Sequence, residues 1–236
     1  MKNINDVQLS SVPLHCLDNE NQPVSFGSGC IIEMPDCDYL FTVFHVAINK
    51  CGRWAIAREY IKGKGLEYVL LGQFTCQRII NIIKPEKTFD LEFAFTKIPF
   101  KKDYVYQEIN PPNNISISKV RNKYKLQQIK LPDIKNIYGF SGHTDHIIVE
   151  NFAITSKLMY HLDYKFLETR EWLHVFKPPI NHPGHIYYKG CSGAPIIDKN
   201  NNIVSLLICG DIERNEIYGV NLYKAITGFY IERENL

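Results

Sequence analysis

Short runs of apolar and β-branched residues, many of them alternating with polar positions, recur along the first hundred residues of the chain. The runs cover residues 7–14, 24–32, 39–46, 68–74, 77–83 and 91–98. A second series covers residues 137–140, 147–154, 172–176 and, as a hairpin around an Asn-rich turn, 196–208. Repeated short strands separated by turn residues are typical of β-barrels. The pattern therefore predicts an all-β protein.

Residues 99–132 interrupt this pattern. Prolines at positions 99, 111, 112 and 132, together with the pair Asn113-Asn114, disfavour regular secondary structure there. We expect this stretch to carry the chain from one barrel to another. The predicted units are an N-terminal barrel over residues 1–100, a crossover over residues 101–132 and a C-terminal barrel over residues 133–236.

The composition is that of an ordinary globular protein, with 45% hydrophobic and 22% charged residues in a chain of 236. A net charge of +2 without a basic stripe argues against nucleic acid as a partner. Because no run of 18 or more apolar residues is present, we expect no membrane-spanning helix and no membrane partner.

The seven cysteines are odd in number and their spacing shows no pairing framework. The first residues also lack the apolar core of a signal peptide. Together these features predict reduced thiols, a fold that does not depend on disulfides, and a cytoplasmic location.

Residues 190–195, with the sequence GCSGAP, have the features of a nucleophile turn. Ser192 supplies a hydroxyl and a backbone N–H, Gly190 supplies a second N–H, and Gly193 leaves space beside the hydroxyl. Acyl transfer needs this grouping of a nucleophile with two N–H donors aimed at the developing oxyanion. Taken alone, the same sequence is equally compatible with a tight hairpin turn.

Two motifs earlier in the chain favour the catalytic interpretation. His45 follows an apolar run and stands three residues after Thr42, and Asp90 opens the apolar run of residues 90–95. The structural alternatives are a buried core histidine and a carboxylate that binds local backbone. The occurrence of both residues, in order, before Ser192 favours catalysis.

The three motifs, in the order His, Asp, Ser, resemble those of the chymotrypsin-like (trypsin-fold) serine peptidases. Members typically show T-A-x-H, then D-[IL]-A-L, then G-x-S-G-x-P. In this chain Val43 replaces the Ala of the first motif, and Glu92 occupies the small position of the second. Residues 26–32 resemble the G-S-G strand that precedes the His strand in bacterial members. The resemblance spans residues 24–225 and implies two six-stranded antiparallel β-barrels, an active site between them and a short C-terminal helix.

The resemblance also implies a role for each matched residue. Ser192 would be the nucleophile, His45 the general base and Asp90 the carboxylate that orients His45. The backbone N–H groups of Gly190 and Ser192 would form the oxyanion hole. Glu92 is a rival acid two residues farther along, and we prefer Asp90 because the Asp-Leu pair matches the motif.

The pocket for P1, the substrate residue before the scissile bond, is expected near the nucleophile turn. By the same resemblance its base is Ile186, and its walls are Ile208, Cys209 and Gly210. These residues favour an apolar or small P1 side chain, although Asp211 lies close enough to change that preference.

Cys191 is a second possible nucleophile, but it stands one residue short of the position that cysteine peptidases of this fold use. We expect it to be a small buried filler. Members activated from zymogens usually carry Asp at this position. The substitution predicts that control comes from elsewhere, for example from a regulatory protein partner.

These features predict a serine endopeptidase that acts on protein or peptide substrates without a cofactor. The pairs His143/His146 and His182/His185 have a spacing that can bind zinc, but no further ligands with zinc-site spacing surround them, so no metal is expected. Two alternatives stay open: a catalytically inactive binding module on the same fold, and an esterase.

Overall fold

The computed structural model describes residues 4–48, 53–61, 65–80, 88–110, 114–149 and 153–234. Within these ranges strands account for most of the regular structure. The first seven strands are β1 (Val12–Leu17), β2 (Pro23–Glu33), β3 (Asp38–Thr42), β4 (Arg53–Ile61), β5 (Gly65–Leu70), β6 (Thr75–Ile80) and β7 (Thr88–Lys97). The next three are β8 (Val105–Asn110), β9 (Asn114–Val120) and β10 (Lys123–Tyr124). The last six are β11 (Ile137–Val149), β12 (Ala153–Arg170), β13 (Leu173–Lys177), β14 (Pro195–Asp198), β15 (Ile203–Asp211) and β16 (Glu216–Asn221).

The helices are α1 (Ile4–Ser10), α2 (Phe44–Ala47) and α3 (Leu222–Glu234). A short 3-10 helix spans Leu126–Gln128, and the 3-10 helix that precedes the nucleophile turn spans His185–Tyr188. None of the helices in the described residues is long and apolar enough to cross a membrane.

The C-terminal strands form a closed barrel in the order β11-β12-β13-β16-β15-β14. Its interior is filled by alternating inward-facing side chains, among them Phe140, Phe176 and Ile196, which are all fully buried. The predicted six-stranded C-terminal barrel is therefore confirmed, and so is the short helix that follows it.

The N-terminal strands form a larger sheet than the sequence predicted. Its order is β5-β4-β1-β2-β3-β7-β6, and β10 pairs in parallel with β2, which makes eight strands. The extra strand β10 comes from the middle of the chain, where Lys123 and Tyr124 lie beside Ile31 and Ile32. The prediction of six strands is therefore wrong for the N-terminal half. No pairing between β5 and β6 occurs within the described residues, so its closure into a barrel stays a prediction.

The middle of the chain is more regular than its prolines suggested. Strands β8 and β9 form a two-stranded antiparallel hairpin, and residues 111–113 between them lie outside the described residues. The expectation of a stretch without regular elements is wrong for residues 105–110 and 114–120. The boundaries of the three predicted units stay predictions.

Helix α3 ties the C-terminal end of the chain to the N-terminal sheet. Phe229 is fully buried, and its ring lies 5.0 Å from that of Phe41, 4.9 Å from that of Phe95 and 5.1 Å from that of Tyr39. These edge-to-face contacts place one aromatic cluster across both halves. The two halves therefore share one hydrophobic core.

The cysteines differ from the expectation of uniformly reduced thiols. Cys30, Cys37, Cys191 and Cys209 are free. Cys16 in β1, however, is disulfide-bonded, and its partner lies outside the described residues. The prediction that no disulfide contributes to the fold is therefore wrong at Cys16.

Candidate active site

His45 lies on the single-turn helix α2, directly after strand β3. The adjacent Val46 is buried and packs on Gly27 of β2, where an added Cβ would lie 2.8 Å from Val46 Cγ1. Glycine at this position therefore lets the helix approach the strand. Burial of Val46 turns the neighbouring His45 outward, with 41% of its side chain exposed.

Glu92 of β7 holds the imidazole of His45. Its Oε2 lies 3.0 Å from His45 Nδ1 and 3.5 Å from the backbone nitrogen of the same residue. An ionised carboxylate only accepts hydrogen bonds, so this contact assigns the ring proton to Nδ1. Nε2 then carries a lone pair that can accept a proton.

Asp90, the acid that the sequence favoured, lies on the same strand, but its side chain is outside the described residues. The strand is irregular between the two acids, because Arg78 pairs with Asp90 whereas Cys76 pairs with Ala94. Three residues of β7 thus lie opposite one residue of β6, which interrupts the alternation of side chains at Glu92. The carboxylate that contacts His45 is that of Glu92.

A signal for Glu92 was present in the sequence. If Glu92 takes the place of the motif's Asp, then Glu92-Phe93-Ala94-Phe95 matches D-[IL]-A-L with Ala at its usual position. Preference for an aspartate over a glutamate concealed this alternative register.

The nucleophile turn connects the 3-10 helix to β14 and requires two of its glycines. Gly190 and Gly193 have φ angles of 90° and 87°, which glycine adopts without strain. A Cβ on Gly193 would also collide with the carbonyl oxygen of Ser28 and the hydroxyl of Thr42. The turn is therefore pressed against the strands that lead to His45.

Ser28 joins this turn to the N-terminal sheet. Its backbone N–H donates to the carbonyl of Ser192 at 2.9 Å, and its hydroxyl donates to the carbonyl of Gly190 at 2.8 Å. Its own carbonyl accepts from Thr42 Oγ1 at 2.8 Å. The resemblance identified the strand of Ser28 but gave this residue no role. The structure shows that it links the nucleophile turn to the strand that ends at His45.

Two backbone N–H groups of the turn are available to a ligand. Cys191 N–H donates to Tyr188 and Gly193 N–H donates to Leu207. In the part of the chain that the structure describes, the N–H groups of Gly190 and Ser192 have no such acceptor. These are the two donors that the sequence predicted for the oxyanion.

Comparison with solved structures finds this arrangement of strands in known proteases. The MamO protease domain of Magnetospirillum magneticum superposes with a TM-score of 0.52 at 13% identity, over 96% of this chain and 98% of that one. A serine endoprotease of Yersinia pestis superposes with a TM-score of 0.53 at 15% identity, over 95% of this chain and 62% of that one. Neuropsin, a serine protease from mouse brain, superposes with a TM-score of 0.54 at 14% identity, over 100% of this chain and 98% of that one. No family model and no curated protein matches the sequence.

The chain has the chymotrypsin-like serine protease fold. At these low identities the likeness concerns the fold, so the chemistry must be argued from the residues of this chain.

Ser192 of this chymotrypsin-fold protein does not contact His45 through a hydrogen bond among the described residues. Its hydroxyl donates instead to the carbonyl of Ile208 at 3.2 Å. Ile208 stands at a bulge in the pairing of β15 with β16, between Leu207 and Cys209. A bulge leaves a residue out of the ladder, which explains why this carbonyl is free to accept from Ser192.

Cys209 shows that β15 also approaches the acid of the His45 pair. Burial, followed by the carboxylates of Glu92 and Asp211, raises the pKa of the Cys209 thiol. Glu92 of the N-terminal sheet and Cys209 of the C-terminal barrel are therefore within electrostatic reach of each other. Strand β15, whose Ile208 carbonyl accepts from Ser192, therefore also lies near the His45–Glu92 pair.

Cys191 has the properties expected of a filler. It is fully buried against Gly142, where an added Cβ would lie 2.5 Å from its sulfur. Burial raises the pKa of its thiol to about 12, so the thiol is protonated at neutral pH and is a poor nucleophile.

The structure places the predicted pocket residues in different surroundings. Ile186 lies on the 3-10 helix with 89% of its surface exposed, which does not fit the base of a pocket. Ile208, Cys209 and Gly210 lie together on β15 next to Ser192. The side chain packed against Gly210 is that of His182, which is 7% exposed.

Proposed function

We propose that this protein is a serine endopeptidase in which Ser192, His45 and Glu92 form the catalytic triad. The observation that carries the proposal is the 3.0 Å contact between His45 Nδ1 and Glu92. It gives the imidazole the tautomer that a general base needs. The neighbouring turn supplies a hydroxyl and two free N–H donors.

In the proposed reaction, His45 Nε2 takes the proton of Ser192 as Oγ bonds to the carbonyl carbon of the substrate. The N–H groups of Gly190 and Ser192 stabilise the oxyanion. His45 then returns the proton to the leaving amine, and the C–N bond breaks. Water releases the acyl group from Ser192 by the same two proton transfers in reverse order.

Glu92 replaces Asp90 in this proposal because its carboxylate, and no other among the described residues, contacts His45. It would hold the ring in place and stabilise the imidazolium that forms when Nε2 is protonated. Glutamate serves this role in other hydrolases with Ser-His-acid triads.

The proposed chemistry requires one local rearrangement. Ser192 Oγ, bonded at present to the carbonyl of Ile208, must rotate toward His45 Nε2. Rotation about one side-chain bond exchanges one weak hydrogen bond for another, and catalytic hydrogen bonds often tighten only when substrate is bound.

A binding module without turnover is the second candidate function. The contact between Ser192 and Ile208 favours it, because a serine held away from its base is unreactive. An esterase on the same fold is a further alternative, since acyl transfer from an ester uses the same residues.

A protein partner that shifts the conformation of residues 182–192 would fit the absence of Asp at position 191. A cytoplasmic location stays a prediction, and the disulfide at Cys16 weighs against a reducing compartment.

Hydrolysis of a peptide library by the wild type and by Ser192→Ala tests the proposal. We expect cleavage by the wild type and a loss of several orders of magnitude in the variant, which should keep the wild-type melting temperature. Peptide binding without cleavage by the wild type would favour the binding module. Cleavage of esters alone would favour the esterase.

A further inference from the structure

The free edge of β15 lies beside the nucleophile. Pairing with β14 ends at Leu206, whereas pairing with β16 continues to Asp211. Among the described residues, 208–211 therefore have one edge without a strand partner, and the carbonyl of Ile208 on it accepts from Ser192. We expect an extended peptide that adds to this edge to place the carbonyl of its P1 residue at Ser192 and the side chain of the same residue close to Gly210.

The space next to Gly210 is filled by the imidazole of His182. A Cβ built on Gly210 would collide with Nε2 and lie 2.8 Å from Cδ2 of that ring. Gly210 therefore has to be glycine while His182 occupies this position. The ring therefore occupies the volume directly beside Gly210.

Contacts on several sides hold His182 in place. Its backbone N–H donates to Asn215 Oδ1 at 2.7 Å, and its Nδ1 accepts from the N–H of Gly184 at 3.1 Å. Its ring lies 5.0 Å from that of Tyr188. Because Nδ1 accepts, Nε2 carries the proton, and this buried N–H has no acceptor among the described residues.

The charge state of His182 agrees with a packing role. Burial, followed by the neighbouring His185, lowers the pKa of His182, while Asp211 acts in the opposite direction. The ring is therefore neutral at pH 7 and does not act as a charged anchor for an acidic side chain.

We propose that His182 sets the P1 specificity of the enzyme by filling the pocket beside Gly210, so that only small P1 residues such as glycine, alanine and serine fit. This inference rests on the proposed peptidase function. Larger side chains are excluded by the volume of the ring, and removal of the ring admits them.

The test measures kcat/KM on matched peptides with Ala, Leu or Phe at P1. Wild type should prefer Ala over Leu and Phe by roughly tenfold or more, as pockets do that exclude added methylenes. The substitution His182→Ala should raise kcat/KM for the peptide with Leu at P1, relative to the peptide with Ala at P1, by about the same factor. The gain should come mainly from a lower KM. His185→Ala is the matched control, because His185 is exposed on the same segment, and it should leave the ratio unchanged.

A second substitution separates pocket filling from a general structural effect. In the His182→Ala background, Gly210→Val refills the same space from the opposite wall and should restore the preference for Ala. If His182→Ala is too unstable to assay, His182→Asn removes part of the ring and should shift the ratio in the same direction.

Binding of the same peptides to variants that also carry Ser192→Ala distinguishes the two proposals. If His182→Ala shifts the relative affinity toward the peptide with Leu at P1 while the wild type shows no turnover, the result supports the pocket-filling role of His182 and contradicts the peptidase proposal. Unchanged ratios in both turnover and binding overturn the role of His182 and leave the triad standing. If the protein neither binds nor hydrolyses any of the peptides, both the peptidase proposal and the role of His182 are contradicted.

Discussion

The two halves of the cleft differ in how far each is arranged for catalysis. On the N-terminal side, His45 is placed by the packing of Val46 on Gly27, and its ring is already bonded to Glu92. On the C-terminal side, the turn is fixed by Ser28, but Ser192 Oγ is bonded to Ile208. In the proposed triad, the base is therefore already oriented, whereas the nucleophile needs a rotation.

The difference has a physical origin. The base stands on a helix directly after a buried strand, so apolar packing fixes it before any substrate binds. The nucleophile stands on a turn between glycines, where hydrogen bonds alone set the side-chain direction. We infer that substitutions on the two sides have different effects. Those near His45 remove the proton transfer that the reaction needs, and those in the turn alter how often Ser192 reaches the reactive geometry.

The largest expected effect concerns the acid on the N-terminal side. Glu92→Gln should lower kcat by about ten-thousand-fold, the loss seen when the acid of such a triad is replaced by its amide, because the His45 tautomer is no longer fixed. Asp90→Asn is the matched variant on the same strand and should change kcat by less than about tenfold. Steady-state kinetics of both variants decide the assignment, and the opposite ranking would make Asp90 the acid.

The disulfide at Cys16 should make the N-terminal sheet sensitive to reductant. Cys16→Ser should lower the free energy of unfolding by about 2–4 kcal/mol, a typical loss for a native disulfide. In wild type, reductant should lower the melting temperature, and the variant should not respond to it. Cys30→Ser is the control, since Cys30 is a buried free thiol and its variant should keep the response to reductant. An unchanged wild-type melting temperature in reductant would restore the expectation that disulfides do not contribute.

The C-terminal barrel should lose stability on acidification because of His161. Burial against Phe140 and Tyr188 lowers the pKa of His161 to about 4. Between pH 6.5 and 4 the unfolded chain therefore binds a proton that the folded chain does not, so stability falls as the pH falls. The loss is at most about 3 kcal/mol.

Urea unfolding at a series of pH values measures this effect, with His161→Phe expected to flatten the profile. His174 is a second contributor to the pH dependence, because burial lowers its pKa to about 4 as well. His161→Phe should therefore remove only part of the pH dependence. A profile identical to that of wild type would show that His161 is not the titrating group.

The smallest expected change in stability is at Ser28, where the two halves meet. Ser28→Ala removes the hydroxyl bond to Gly190 and should cost about 1 kcal/mol of stability. It should also lower kcat about tenfold, because the oxyanion donors lose a support. Ser205→Ala is the matched control: it removes a 2.6 Å bond from a buried serine to Val220 inside the C-terminal barrel and should cost stability without changing kcat. Equal kcat values for the two variants would mean that Ser28 has no positioning role.

Local motifs in the sequence predicted the parts of the site that depend on local structure. The turn around Ser192 and the placement of His45 after a strand follow from short runs of residues whose geometry is set by glycines and by β3. The closed C-terminal barrel was predicted from the runs of strand-forming residues together with the resemblance to chymotrypsin-like peptidases. These features need little information from distant parts of the chain.

Other features depend on long-range contacts that the sequence does not display. The choice of Glu92 depends on a bulge that β6 imposes on β7. Ile186 is exposed and it is His182 that lies beside Gly210, an arrangement that local residue patterns do not display. The eighth strand of the N-terminal sheet comes from β10, about ninety residues farther along the chain than its partner β2.

Mapping of a fluorophosphonate adduct by mass spectrometry tests the central claim most directly. The probe reacts only with a serine that a neighbouring base activates and that lies beside an oxyanion hole. We predict one adduct, on the peptide that contains Ser192, and no adduct in His45→Ala. An unlabelled wild type, or an adduct on another serine with Ser192 unmodified, would contradict the claim that Ser192, His45 and Glu92 act together.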